Sequence, residues 1–279
     1  PEWLTLLKGV NVFTDYKQLL KQKEVHAVSI CTPASTHYKI ASDCLNAGKN
    51  VLSEKPLALS SSEAASLVEL AEKKGCCLMV GHTFRFDETV RWAKSSIAKG
   101  AFGKIYYVSL QRMGLKRPRE DCGAIFNYTA DDFEIFSLIL GEDLPREITA
   151  VVENGLEREF EDFALVCARY GKDTLAYSQV TWLAPKTMRE FWIVGEKMSA
   201  FVDTEGSRVI LYDSHVDGKR LLPMPGGETV VMVPRKEPLK EELAHFLECC
   251  ANATECISSG KVGLQVVRMM EGALKSAKL

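Results

Sequence analysis

Between residues 10 and 80, short runs rich in valine and isoleucine alternate with longer segments of helical period, and this alternation constrains the fold more than any other feature of the chain. Strands that recur between helices in this way form βαβ units around a parallel sheet. Strands are expected at 10–13, 26–31, 50–53 and 77–80, with helices at 15–21, 36–47 and 62–74 between them. Gly48 and Gly75 stand where helices end, and Ser60, Ser61 and Ser62 ahead of Glu63 supply the side chains that cap a helix start. Open parallel sheets bind ligands beyond the carboxyl ends of their strands. Three consecutive strands end in unusual residues: Thr32-Pro33 with His37 beyond, Glu54-Lys55-Pro56, and Gly81-His82-Thr83-Phe84-Arg85. One edge of the sheet should therefore gather all three clusters.

After Phe86 the pattern changes. Helices are expected at 88–99 and 126–140, and strands at 104–110, 149–153, 162–170, 174–181, 189–195, 199–203 and 208–213, with a hairpin loop at 223–227 and closing amphipathic helices at 239–253 and 263–279. Such a run of strands after a βαβ region argues for a second domain on a large, mostly antiparallel sheet. The boundary is set near Phe86, giving domains 1–86 and 87–279. Residues 1–8 read as the tail of a helix, so the chain is expected to have lost residues at its front.

At 46% hydrophobic and 26% charged residues the chain is of globular composition, and its net charge of −2 comes without basic runs, so neither nucleic acid nor an anionic membrane is an expected partner. A small molecule is. The nine cysteines include no CxxC, which argues against a disulfide framework and against a metal site, and points to reduced thiols in the cytoplasm.

Lys55 is the candidate reactive group. Pro56 holds it extended over the crevice, where an amine can exchange a proton or polarise a substrate oxygen. Lysine is also an ordinary exposed residue, and proline often ends a strand. Asn127 and Asp131, four residues apart in one helix, either face the crevice and touch substrate or simply cap and charge a first turn. His82 and Arg85 read as packing or solvated residues, or else His82 as a cofactor contact and Arg85 as a ligand for a cofactor or substrate anion. Arg112 and Arg119 lie in the polar connection 111–122, and Trp182 in the stretch Thr181-Trp-Leu-Ala-Pro-Lys186; both stretches suggest a substrate site.

CTPxxxH beginning at Cys31, EKP at Glu54 and GHTFRF at Gly81 resemble the glucose–fructose oxidoreductase, inositol dehydrogenase and MocA (Gfo/Idh/MocA) family of NAD(P)-dependent oxidoreductases, and the likeness runs essentially end to end. It implies an α/β chain: an incomplete Rossmann domain, doubly wound on a parallel sheet and lacking its first βαβ unit, then an α+β domain whose large open sheet often mediates dimers or tetramers. By the same resemblance Lys55 is the catalytic lysine, often presented by a cis Lys-Pro bond. Thr32, Pro33, His37, Glu54, Lys55, Pro56, His82 and Arg85 would hold NAD or NADP. Lys55, Arg112, Arg119, Asn127, Asp131 and Trp182 would meet a sugar or nucleotide sugar, such as a UDP-sugar oxidised at its 3-hydroxyl.

Two departures qualify this. The GxGxxG fingerprint that takes the pyrophosphate is absent from the sequence, so this polypeptide is expected to bind NAD poorly. The family helix usually carries Asp-x-x-x-His, the histidine accepting the hydroxyl proton, and here those positions are Asn127 and Asp131. Either Asp131 has a raised pKa, or Lys55 exchanges the proton, or the protein is a catalytically silent ligand-binding member of the family.

Overall fold

In the computed structural model, which describes residues 9–141, 144–172 and 174–277, two sheets carry the architecture. The helical tail expected at 1–8 lies outside the described residues. The first sheet is parallel, with order β1-β2-β3: β1 (Ala27–Ile30), β2 (Asn50–Ser53) and β3 (Leu78–Val80). Its crossovers are α2 (Ala34–Asn46) and α3 (Ser61–Lys74), after a short α1 (Tyr16–Leu20). Local chemistry sets these helix ends. Ser60 accepts from the Glu63 amide at α3's start, and Gly75 closes it at φ +63°, in the left-handed region that a Cβ disfavours.

The strand expected at 10–13 does not form. A strand exists only through a hydrogen-bonded neighbour, and among the described residues none runs beside this segment, whose Val10 and Val12 are exposed.

A 3₁₀ turn (Thr83–Phe86) leads to α4 (Glu88–Ala98) and then to the second sheet. Its eight strands have the order β13-β10-β9-β8-β4-β7-β6-β5, and only the β4–β7 pair is parallel. They are β4 (Ile105–Leu115), β5 (Glu147–Glu153), β6 (Phe163–Tyr170), β7 (Thr174–Thr181), β8 (Leu183–Gly195), β9 (Ser199–Asp203), β10 (Arg208–Tyr212) and β13 (Glu228–Met232), with β11 (His215–Asp217) and β12 (Leu222–Met224) forming a separate hairpin. The hairpin loop expected at 223–227 is thus partly strand, at Pro223 and Met224, and the turn between β11 and β12 falls at 218–221. Strand β6 alternates buried and half-buried residues, as a sheet with one covered face requires.

The core under that sheet is dominated by α5 (Ala130–Leu140), whose Phe133, Ile135, Phe136, Leu138 and Ile139 are all buried. Each such side chain contributes about 1.5–3 kcal/mol by leaving water. The chain then returns to the first sheet. Helix α6 (Pro238–Asn252) covers the 3₁₀ turn, and α7 (Gly260–Ser276) lies along α3 and β3. Glu271 on α7 accepts from the Ser61 amide and hydroxyl at 2.8 and 2.6 Å. Gly263 permits the closest approach, since a Cβ there would stand 2.6 Å from the Val80 side chain. No described helix is long and apolar enough to cross a membrane.

Candidate active site

The register of the parallel sheet builds the site. Ile30 pairs with Ser53, and Ser53 with Val80, so the residues that follow these three leave the sheet side by side. Thr32, Glu54-Lys55 and Gly81-His82 come together as the strand ends require, and the Lys55–Pro56 bond is cis. His37 joins two of these segments: its Nδ1 lies 2.7 Å from the Pro56 carbonyl and its Nε2 2.8 Å from the Thr32 carbonyl. The ring is 1% exposed and both its nitrogens are engaged. His37 therefore braces the crevice from behind instead of lining it, a correction to its expected cofactor contact.

Lys55 reaches across to the helix that precedes and includes α5. Its Nζ is 3.0 Å from Asp131 Oδ2 and donates to the Asn127 carbonyl at 2.7 Å. The helix begins with a widened π turn (Ile125–Thr129), a feature frequent at functional sites, and this turn carries Asn127. Its entry is fixed by buried Glu161, which accepts from the Ile125 amide at 2.9 Å. Gly123 leaves room for that carboxylate, because a Cβ would fall 2.0 Å from Glu161 Oε2.

Arg112 stands on the far side of Asp131, 3.8 Å from the same Oδ2. It also pairs with buried Asp132, which accepts from the Ser178 hydroxyl, and its guanidinium lies 4.4 Å over the Phe84 ring. Burial alone would raise the Asp131 pKa, but the charges of Lys55 and Arg112 more than offset it and hold the carboxyl below its ordinary value. Of the three options for the missing histidine, a raised Asp131 pKa is thus not what this geometry produces.

A cavity of about 280 Å³ opens beside this triad, lined by Lys55, Arg112, Arg119, Asn127, Asp131 and Trp182, with Lys116, Arg117, Tyr128 and Arg189 at its walls. The six substrate-site residues expected from the sequence are therefore brought together. Arg119 is held by a two-point bond to Asp121 at 2.8 and 2.9 Å, and Asp121 also accepts from the Ser35 amide at the start of α2. Trp182, 2% exposed, forms a fixed wall against Tyr128.

The floor holds the surprises. Arg85 does not face a ligand: it is buried in an ion pair with Glu134 at 2.6 Å and donates to the Ile257 carbonyl at 2.8 Å. The expectation of an anion ligand fails because α5 and the loop after α6 claim the guanidinium first. His82 is 1% exposed, and neither ring nitrogen has a hydrogen-bond partner. Burial pushes its pKa down to about 3, against the opposing pull of Asp131, so the ring is neutral at ordinary pH. Glu242 was missed by the sequence reading. It descends from α6, and a Cβ on Gly81 would stand 3.6 Å from its Oε1 and 3.4 Å from Glu54 Oε2. Burial, with the Glu54 and Asp131 charges adding to it, raises the Glu242 pKa to about 7. Its signal was the spacing of Glu242, Phe246 and Cys249, which puts an acid on the apolar stripe of a helix.

Two family models match the chain: the oxidoreductase family with an NAD-binding Rossmann fold over residues 6–82, and the Gfo/Idh/MocA C-terminal domain over 90–201. The chain belongs to the Gfo/Idh/MocA oxidoreductase family. A UDP-N-acetylglucosamine 3-dehydrogenase of Acidithiobacillus ferrooxidans is 27% identical over 249 residues, 88% of this chain and 76% of that one. A myo-inositol 2-dehydrogenase of Thermotoga maritima is 28% identical over 139 residues, 48% of this chain and 42% of that one. Among solved structures, a UDP-N-acetylglucosamine 3-dehydrogenase from Acidithiobacillus ferrooxidans superposes with a TM-score of 0.83 at 24% identity, covering 99% of this chain and 85% of that one. A levoglucosan dehydrogenase in complex with NADH and levoglucosan gives 0.85 at 18% identity, covering 99% and 84%. These structural likenesses bear on the fold.

Family membership implies a nicotinamide dinucleotide, and the crevice fits its nicotinamide half. The two orphaned nitrogens of His82 await a partner, and Gly81 leaves the strand ends open between Glu54 and Glu242. Thr32, Pro33, Glu54, Lys55-Pro56 and His82 would hold it.

Proposed function

We propose that the protein oxidises a secondary hydroxyl of a sugar or nucleotide sugar with NAD or NADP, the UDP-sugar 3-hydroxyl being the specific candidate. The observation that carries this reading is Lys55 Nζ, bonded at 3.0 Å to Asp131 and 2.7 Å to Asn127, at the mouth of a cavity ringed by Lys116, Arg117, Arg119 and Arg189. Those cations suit a ligand carrying phosphates, and they are placed to bind a diphosphate while Trp182 and Tyr128 offer apolar wall. The 27% identical relative named for a UDP-sugar supports the same choice.

A nicotinamide held by Thr32, Pro33, Glu54, Lys55 and Pro56 would supply the hydride acceptor for the carbinol carbon. The chain's own work is the proton. Lys55 polarises the hydroxyl oxygen, and the leaving proton enters the Lys55–Asp131 pair and passes from it to solvent. Asp131 is weakened as a base by its two cations, so it orients Lys55, and Lys55, ion-paired to it, takes the hydroxyl proton only as it releases one of its own to solvent. Arg112 holds Asp131 from the other side. His82 is the cofactor contact we propose on the crevice floor, since neither of its ring nitrogens has a hydrogen-bond partner among the described residues.

The test is NAD and NADP reduction by the protein with UDP-N-acetylglucosamine, other UDP-sugars and free polyols. Turnover with a UDP-sugar is expected, with Lys55→Ala lowering kcat by about 10²–10⁴-fold. Ligand binding without turnover for either cofactor would instead establish a silent family member. An unchanged rate in Lys55→Ala would remove the lysine from the chemistry. The open face of the second sheet carries a run of aromatic side chains, Tyr107, Tyr177, Trp192, Phe201 and Tyr212, with ring centroids 4.9–5.9 Å apart between neighbours. We assign this face to a homodimer or tetramer contact.

A further inference from the structure

Between α6, the loop after it and the residue ahead of β3, thiols gather around one imidazole. Cys249 and His245 are one helical turn apart on α6, with Cys249 Sγ 3.4 Å from His245 Nε2. Cys256 follows in the next loop, and one donor atom from each of His245, Cys249 and Cys256 lies within 4.8 Å of the other two. Cys77, just ahead of β3, puts its Sγ 3.1 Å from that of Cys256. All nine cysteines are free thiols, so this contact is not a disulfide. We propose that Cys77, Cys249, Cys256 and His245 form a tetrahedral site for a thiophilic divalent cation, zinc(II) being the natural occupant.

Donor chemistry, distances and burial agree. Zinc takes thiolates at about 2.3 Å and imidazole at about 2.0 Å, which in a tetrahedron spaces its donors roughly 3.5–3.8 Å apart. The Cys249–His245 separation of 3.4 Å is just short of that range, Cys77 and Cys256 part by a fraction of an ångström on binding, and Cys77, which stands outside the group of three, closes on His245 and Cys249. Three thiols release their protons to water as the bonds form, and the lone pair of a neutral imidazole supplies the fourth. The scaffold is rigid. The Cys77 amide donates to Asn50 Oδ1 at 2.8 Å, and the loop holding Cys256 is tied to β3 by the Val80 amide to the Ser258 carbonyl at 2.8 Å. Leu52, Met79, Phe86 and Phe246 form an apolar shell around Cys249 and Cys256, which keeps water away from the sulfurs. A groove of about 430 Å³ bordered by Cys77, Cys249 and Cys256 gives the ion its way in. Coordination at Nε2 takes that nitrogen from the Ile257 amide, a 3.1 Å hydrogen bond that metal binding gives up. The sequence argued against a metal through its cysteine count and spacing, an odd number with no CxxC, and this donor set spans residues 77 to 256.

The experiment is titration of the full-length, reduced and chelator-stripped protein with cobalt(II) and zinc(II). One ion per chain is expected, with thiolate-to-cobalt charge-transfer absorption displaced by zinc, and a Tm that rises with zinc and falls again with chelator. Cys256→Ser and His245→Gln should each weaken binding by more than the roughly 10–100-fold typical of a group behind the ligands. Cys31→Ser, whose thiol lies elsewhere, should leave it unchanged. His245→Gln keeps the test open should Cys256→Ser fail to fold. Absence of stoichiometric binding, equal binding by the His245→Gln protein, or a Cys77–Cys256 disulfide formed in place of metal uptake would overturn the site.

Discussion

Glu242 is a buried acid whose pKa rises to about 7, and that makes it a liability above neutral pH. A carboxyl that holds its proton more tightly when folded than unfolded favours the fold most below about pH 4.3, its unfolded value, and loses that advantage as pH climbs toward 7 and beyond. Glu242→Gln should therefore flatten the decline of stability between about pH 5 and 8, with a gain of up to about 3 kcal/mol at the alkaline end. Urea unfolding of both proteins across that range checks it, and parallel slopes would show that Glu242 is not the titrating group. At this scale the sequence was informative where chemistry sits in consecutive residues. Glu-Lys-Pro at a strand end announces Lys55 from eight neighbouring letters. Glu242 meets Glu54 from almost two hundred residues away, and Arg85, equally conspicuous in sequence, is claimed by a partner on another helix. Only the folded chain reveals which charges are already spent.

Elements were legible in proportion to the regularity of their burial. Strands β2 and β3, buried almost throughout, appeared where apolar runs predicted them, and the convergence of the strand ends followed from register alone. Strands β4 and β8 run longer than expected, to Leu115 and from Leu183, because their outer stretches mix polar and apolar residues without a clear alternation and still pair, Met113 with Met188 and Leu115 with Leu183. The π turn before α5 has no periodic signature at all. It depends on Glu161 entering the space that Gly123 leaves, so Gly123→Ala should cost about 1–3 kcal/mol through overpacking. Because the same turn aims the Asn127 carbonyl at Lys55, kcat should fall with stability. Thermal melts and steady-state rates on the one variant test both halves, and full stability would show that Glu161 moves aside freely.

For the whole molecule, the open sheet face is the feature that demands a neighbour. A half-exposed row of aromatic rings is the composition expected of an interface core. Trp192→Glu sets a charge in the middle of that row and should convert the assembled wild type to monomers, read by light scattering, with circular dichroism unchanged. A wild type already monomeric would refute the assignment of this face. The fold-level outline, parallel sheet then large open sheet, was readable in order along the chain, because each part is built mostly from sequential neighbours. The return of α6 and α7 to the first sheet was not, since amphipathic periodicity tells that a helix has an apolar side and not which surface receives it.

That return changes how the crevice can move. The polypeptide passes between its two sheets twice, once near Asp87 and again ahead of Pro238, and α7 then rests on α3 while also touching β5. Two crossings define an axle. Any gaping of the cleft between Lys55 and Asp131 is confined to rotation about the line that joins them, as a door is confined by a pair of hinges, and a single protease cut at either crossing would leave both leaves hanging together.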